Sequence, residues 1–395
     1  MNKETYFDYL DNEELLRFFS GAVKIPSVNP PGREEPMTEY LETFLRENRL
    51  EWERVSAEDG RFNLIVKLRG KRSTDSIIFT GHQDVVPVSD EELRRWNCEP
   101  FAAEIRDGFL YGRGSSDMKG GLTAALYAMA VLRQNGIEPE TDIIFAATVD
   151  EENYMKGSKK LLDSPLLDGA RYLVVCEPTN LHLCIKGKGR TWAEVCVQGK
   201  TAHGSQAGAG DNALYTAVDL IQKIRHTELS GYSSPQNGES FWRTLAIQAG
   251  VEPQVVPDTC RFTVDARLAV GHPVGAVWEQ LDGLISELQT EAPDTRVSYT
   301  VIDERPSWVT AEDSPLVRLC KNALAQAGLA YIPDMFAGST DASVLVRRGL
   351  TPVIIGPGDL SVVHRENECL ELSQLYSAAR LYLAMMMSPL VCPKR

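Results

Sequence analysis

The sequence predicts an α/β sandwich into which a smaller α+β domain has been inserted. Three observations carry this. Strand and helix patterns alternate through the first half of the chain, as they must when helices connect the strands of one sheet. From about residue 190 the order becomes strand, helix, strand, strand, helix, strand. After about residue 304 the first pattern returns. The expected boundaries are 1–189 and 305–395 for the larger domain and 190–304 for the insertion.

Each element follows from its periodicity. NEELLRFFSGAVKI and MTEYLETFLREN place apolar residues at helical spacing. NLIVKLRG, SIIFTGHQD, DIIFAATVDEE and RYLVVCEP are short, β-branched and mostly apolar, as strands of a buried parallel or mixed sheet should be. GGLTAALYAMAVLRQNG is a helix that is apolar nearly all round and stopped by Asn135-Gly136. In the insertion, TWAEVCVQG, FWRTLAIQAG, DTCRFTVDARL and RVSYTVID are strands, and NALYTAVDLIQKIRHT and VGAVWEQLDGLISELQ are helices. That βαββαβ order packs two helices on one face of a four-stranded antiparallel sheet, a ferredoxin-like arrangement. SPLVRLCKNALAQAG, TPVIIGPG and LSQLYSAARLYLAMMM then complete the larger domain.

Composition bounds the function. The chain of 395 residues is 43% hydrophobic and 24% charged, with a net charge of −14. Such an acidic surface repels nucleic acid and anionic membrane, so neither is an expected partner. The N-terminal stretch MNKETYFDYLDNEELLRFF lacks the apolar core of a signal peptide. No stretch approaches the ~18 consecutive apolar residues of a membrane span. Eight scattered cysteines form no C-x-x-C pair, which suits a reducing cytoplasm better than a disulfide framework.

Ligands of open α/β sheets sit at the carboxyl ends of strands, and the polar groups that break the apolar pattern fall there. His82 and Asp84 end one strand, Asp150, Glu151 and Glu152 follow another, and Glu177 follows a third. Asp117 lies in GRGSSDMKGG before the apolar helix, and His364 follows PVIIGPGDLSVV. Singly, each has an ordinary reading: a satisfied polar residue, a solvated loop, a helix cap. Together they bring two histidines and several carboxylates to one crevice, where unpaired carboxylates repel one another. Divalent cations remove that repulsion, and mixed N/O donors suit zinc, with cobalt or manganese as substitutes.

The ordered motifs H-x-D, G-R-G-x-x-D-x-K-G-G, D-E-E, E-P-T and H-x-x-N-E resemble those of the dinuclear zinc metallopeptidase family that includes aminoacylase, acetylornithine deacetylase, succinyl-diaminopimelate desuccinylase and glutamate carboxypeptidase. The likeness spans nearly the whole chain. It implies a zinc-exopeptidase-like three-layer α/β/α catalytic domain whose inserted domain serves as lid and homodimer interface. It further implies two divalent metal ions, one held by His82 and Glu177, the other by Glu152 and His364, with Asp117 bridging. Asp84, on the same side of the strand end as His82, would receive the other imidazole N–H and fix its tautomer. Glu151 would be the general base.

In the insertion, GKTAHGSQAGAGDNAL resembles the family loop whose histidine reaches the partner subunit's site and stabilises an oxyanion, a role that falls to His203. Arg267 resembles the arginine that binds the substrate carboxylate. Ser339 and Thr340, in FAGSTDAS, resemble a substrate-contacting loop. Gln254 stands where the family commonly has asparagine. The implied reaction is hydrolysis of an N-acyl amino acid to a carboxylate and a free amine. A di- or carboxypeptidase acting on short peptides by the same chemistry is the alternative, and Glu177 favours the deacylase side, because di- and tripeptidases of the family tend to have aspartate there and deacylases and carboxypeptidases glutamate. A non-catalytic scaffold would not need Glu151 beside a full ligand set.

Overall fold

The computed structural model describes residues 5–206, 208–229 and 231–390, so Cys392 and the first four residues lie outside it. The chain divides into two compact units. One comprises residues through Lys186, Val309–Phe336 and the chain from Thr340 onward; the other comprises Gly187–Trp308 with Ala337–Ser339.

The first unit is built on a mixed sheet, seven of whose strands run in the order Trp52–Glu58, Arg61–Leu68, Thr141–Thr148, Arg72–His82, Ala170–Val175, Thr351–Ile354 and Leu183–Gly187. Arg72–His82 is parallel to both its neighbours, and Thr351–Ile354 is parallel to Ala170–Val175. The remaining neighbour pairs in this order are antiparallel. Ile77, Ile78 and Phe79 have no exposed surface, as a central strand covered on both faces requires. Ile77 and Phe79 face a core formed with helices Asn12–Val23, Glu35–Glu47, Gly120–Gln134, Pro315–Ala327 and Leu372–Met387. Ile78 points to the opposite face. There the short helix Asp341–Leu345 packs against Ala170–Val175 and Thr351–Ile354. This is the α/β sandwich expected from the strand and helix alternation, in the three layers that the family resemblance implies.

The second unit has the order βαββαβ: Gly189–Gln198, Ala213–His226, Phe241–Ala249, Thr259–Leu268, Val274–Glu291 and Arg296–Arg305. Its four strands are antiparallel throughout, in spatial order second, third, first, fourth. Ala193, Val195, Phe262, Val264 and Ala266 meet Leu220, Ile224, Val277 and Leu281 in a separate core. The alternate residues of the strands face away from that core. No helix among the described residues is long and apolar enough to cross a membrane, and the seven cysteines among them are all free.

Helix Gly120–Gln134 begins where it does because of Gly121. A Cβ there would lie 1.8 Å from the Cys176 carbonyl oxygen, so only glycine lets the helix start press against the end of a neighbouring strand. Gly121→Ala should therefore destabilise the chain by about 1–3 kcal/mol or more through overpacking. Gly283, exposed in helix Val274–Glu291, has nothing within 4 Å of its would-be Cβ. There the same substitution should stabilise by about 0.5–1 kcal/mol. Urea denaturation midpoints moving in the same direction for both would show that the contrast is wrong.

Candidate metal centre

Strand register explains how the polar groups meet. His82 pairs with Thr148, and Thr80 with Val175, so three parallel strands end at nearly one level. Beyond those ends come His82 and Asp84, then Asp150 to Glu152, then Glu177. Asp117 reaches the same place from the irregular segment Ser115–Lys119, where its φ of −117° and ψ of 98° break the helix. It caps no helix; the Gly120–Gln134 helix has Lys119 at its N-cap with no side-chain bond.

Asp117 lies between the two histidines. Its Oδ1 is 3.0 Å from His82 Nε2 and its Oδ2 is 3.1 Å from His364 Nε2. His82 Nε2 is also 3.6 Å from Glu177 Oε1, and His364 Nε2 is 3.1 Å from Glu152 Oε2. Donor atoms of His82, Asp117 and Glu152 lie within 4.8 Å of one another, as do those of His82, Glu151 and Glu177. All of the residues that the motifs single out as ligands thus converge, and Glu151 converges with them. Mixed imidazole and carboxylate donors at this spacing fit a divalent cation.

The electrostatics carry the same message. Burial, then the Asp117 charge, push Glu177 well above the usual carboxylate range and raise Glu152 as well. Against the opposing pull of burial, hydrogen bonds from His364 and His82 hold Asp117 low. Burial opposes protonation of His364 too, but bonds to Asp117 and Glu152 push it up to about 11. Without other cations, protons on the imidazoles balance the carboxylates. Metal ions would replace those protons, which is how binding at such a site releases protons.

Asp84 corrects the expectation from sequence. His82 Nδ1 donates to the backbone carbonyl of Asp84 at 2.9 Å, while the carboxylate Oδ1 is 3.7 Å away. The tautomer is still fixed with Nε2 facing the other ligands, but by the main chain. The fully buried carboxylate instead accepts from the Glu151 and Glu152 backbone N–H groups at 3.2 and 3.1 Å, and from Asn29 Nδ2 at 2.8 Å. It therefore sets the position of the acidic pair.

Other supports were not among the expected site residues. Asn29 also donates to Asp150 at 3.1 Å, and Asp150 is paired with Arg61 at 2.9 Å, whose guanidinium also binds buried Glu34. Glu368, the last residue of H-x-x-N-E, accepts from the backbone N–H of Ser116 and of Asp117, each at 3.1 Å, and pairs with Arg113 at 2.8 Å. Its place in a motif was the available clue. Lys119, buried and pushed down to about 7 by desolvation, donates to the Ala22 and Ile25 carbonyls at 3.0 and 2.6 Å.

The substrate candidates divide between the units. Arg267 lies on Thr259–Leu268 and pairs through Nε with buried Asp265 at 2.8 Å. His203 is exposed, with Nδ1 bonded to Ser205 Oγ at 2.8 Å. Gln254 is exposed and accepts from the Gly204 N–H through its backbone carbonyl at 2.7 Å. Ser339 belongs with these in the second unit. Thr340 differs from the expectation: it is buried in the first unit, and its hydroxyl accepts from the Ala342 N–H at 3.2 Å as an N-cap. That bond commits it to starting a helix.

If Asp84 sets the acidic pair, Asp84→Asn should weaken metal binding about 10–100-fold. Competition against a calibrated chelator measures this, and an unchanged affinity would remove Asp84 from the support of the site.

Comparison with known proteins supplies the family. Residues 78–388 match Peptidase family M20/M25/M40. The chain is 28% identical over 358 residues to acetylornithine deacetylase of Myxococcus xanthus, covering 86% of this chain and 88% of that protein. It is 26% identical over 411 residues to N-formyl-4-amino-5-aminomethyl-2-methylpyrimidine deformylase of Bacillus subtilis, covering 95% and 94%. Among solved structures, a tripeptidase from Staphylococcus aureus shares the fold with a TM-score of 0.76 at 20% identity, covering 96% and 98%. A match over most of the chain, joined to converging histidines and carboxylates at the strand ends, places this protein in the metal-dependent hydrolases of peptidase family M20/M25/M40.

Proposed function

We propose that the protein hydrolyses the amide of an N-acyl amino acid, releasing a carboxylate and a free amine. The observation that carries this is Glu151: a buried carboxylate beside Glu152, placed with His82 and Glu177 by the carboxylate of Asp84. The relatives named acetylornithine deacetylase and succinyl-diaminopimelate desuccinylase support the substrate class.

His82 and Glu177 would hold one divalent ion, Glu152 and His364 a second, and Asp117 both; zinc suits the donors. Bound there, such ions make water acidic and polarise a carbonyl. Glu151 takes the proton from the attacking water and delivers it to the leaving nitrogen. His203, contributed across a homodimer, would donate to the oxyanion, and Arg267 would receive the substrate carboxylate through its terminal nitrogens. Ser339 and Gln254 would line the substrate's path.

Free-amine release by the zinc-loaded protein from N-acyl amino acids and dipeptides tests the reading. Hydrolysis of dipeptides alone would transfer the protein to the peptidase class. Glu151→Ala should keep its metal yet lose about 10²–10⁴-fold in kcat, the range for a general base; undiminished turnover would overturn the mechanism. If His203 acts across the dimer, equal mixing of Glu151→Ala and His203→Ala chains should restore about a quarter of wild-type activity, because half the dimers then hold one intact site. No recovery after subunit exchange would place His203 in its own chain's site.

A further inference from the structure

The face of the four-stranded sheet turned away from its helices carries a row of cations. In register across the strands, Phe241 opposes Arg267, Arg267 opposes Arg190, and Arg190 opposes Arg305. One step along, Arg243 opposes Asp265. Asp265 is buried and already shared, taking Arg190 Nε at 2.5 Å and Arg267 Nε at 2.8 Å. Arg305 pairs with Asp303 at 3.1 Å. Arg243 and Lys188 have no ion-pair partner among the described residues. Both instead lie over the Phe241 ring, at 4.7 and 5.6 Å from its centroid. Burial and the neighbouring Arg267 charge lower both Lys188 and Arg190, opposed at Lys188 by Glu239 and at Arg190 by Asp265, the mark of crowded cations.

These groups line a half-open cavity. A space of about 330 Å³ is lined by Lys188, Arg243 and Arg267, with Phe241, Asp265 and Ser339 among the other walls. Its size suits a small ligand. Three cations face it against one carboxylate that two arginines already use. Arg267 alone suffices for one carboxylate; Arg243 and Lys188 exceed that need.

We propose that this cavity receives a dianion, so that the substrate is an N-acyl amino acid bearing two carboxylates, the second gripped by Arg243 and Lys188. This rests on the reading that Arg267 binds the first. It also sets the protein apart from the relative acting on acetylornithine, whose side-chain ammonium these cations would repel. The second carboxylate belongs either to an acidic amino acid or to a dicarboxylic acyl group, and the chemistry at the cavity is shared.

The test is calorimetric titration of the zinc-loaded Glu151→Gln chain, whose slowed turnover allows equilibrium binding. The ligands are N-acetyl-L-glutamate, N-succinylglycine, N-acetyl-L-glutamine and N-acetyl-L-ornithine. At least one dianion should bind tenfold or more tightly than N-acetylglutamine, and N-acetylornithine should bind more weakly still. Tighter N-acetylglutamate locates the second carboxylate on the amino acid; tighter N-succinylglycine locates it on the acyl group. Adding Arg243→Gln or Lys188→Gln should cut affinity for the preferred dianion about tenfold more than for N-acetylglutamine. Equal affinity for dianions and N-acetylglutamine, or equal losses on every ligand, would overturn the assignment. Turnover by the Glu151-intact chain separates the two readings. Dianion-selective binding with no amide hydrolysed sinks the hydrolase reading and leaves the cavity standing, whereas rapid hydrolysis of N-acetylornithine sinks only the cavity.

Discussion

Mutual repulsion among buried carboxylates is the constraint on which the rest of the structure depends. Asp84, Asp117, Glu151, Glu152 and Glu177 gather at the ends of parallel strands with almost no access to water. Left to themselves they would protonate or part. The protein keeps them together by spending backbone donors on them. Asp84 takes two amides of the acidic pair, and Glu368 takes those of Ser116 and Asp117. Rigid sheet geometry does the remainder, because strands in fixed register cannot move one of these side chains without moving its neighbours.

Around this cluster the supports are themselves ionic. Glu34, Arg61 and Asp150 form one buried chain, and buried Glu368 and Arg113 form another that ends at half-buried Glu92. Removing one member of such a chain strands the others in a poor solvent for charge, so these networks tolerate change badly. They explain why a loop as short as Asp150 to Glu152 holds its shape.

Much of the fold was legible in the sequence because buried strands and amphipathic helices announce themselves by period. The apolar runs through Ile77–Phe79 and Ile143–Phe145 became central strands. The strand Trp52–Glu58 was not anticipated: it is charged and half exposed, with no apolar run to mark it. Nor was Leu183–Gly187, too short and too close to the next strand to separate by pattern. The candidate ligand set was legible because its histidines and carboxylates interrupt apolar strand patterns. The partner of His82 was not, since a carbonyl oxygen is the same in every residue. Asn29 was hidden for another reason: its contacts with Asp84 and Asp150 span 55 and 121 positions, and only the folded sheet brings them together.

The insertion closes on itself. Its first strand pairs with its last, Arg190 opposite Arg305, and a Cβ on Gly187 would touch the Trp308 ring. Entry and exit therefore lie side by side, and a long excursion of chain is topologically equivalent to a hairpin turn in the domain it interrupts. Loop-closure entropy grows with the length of disordered chain between two contacts. Once the insertion has folded, that length is nearly nothing, so the C-terminal segment bearing His364 and Glu368 searches for the first half of the domain as though it followed directly. A domain in this position can lengthen, vary its open face or change its ligands without hindering the assembly of the candidate metal centre.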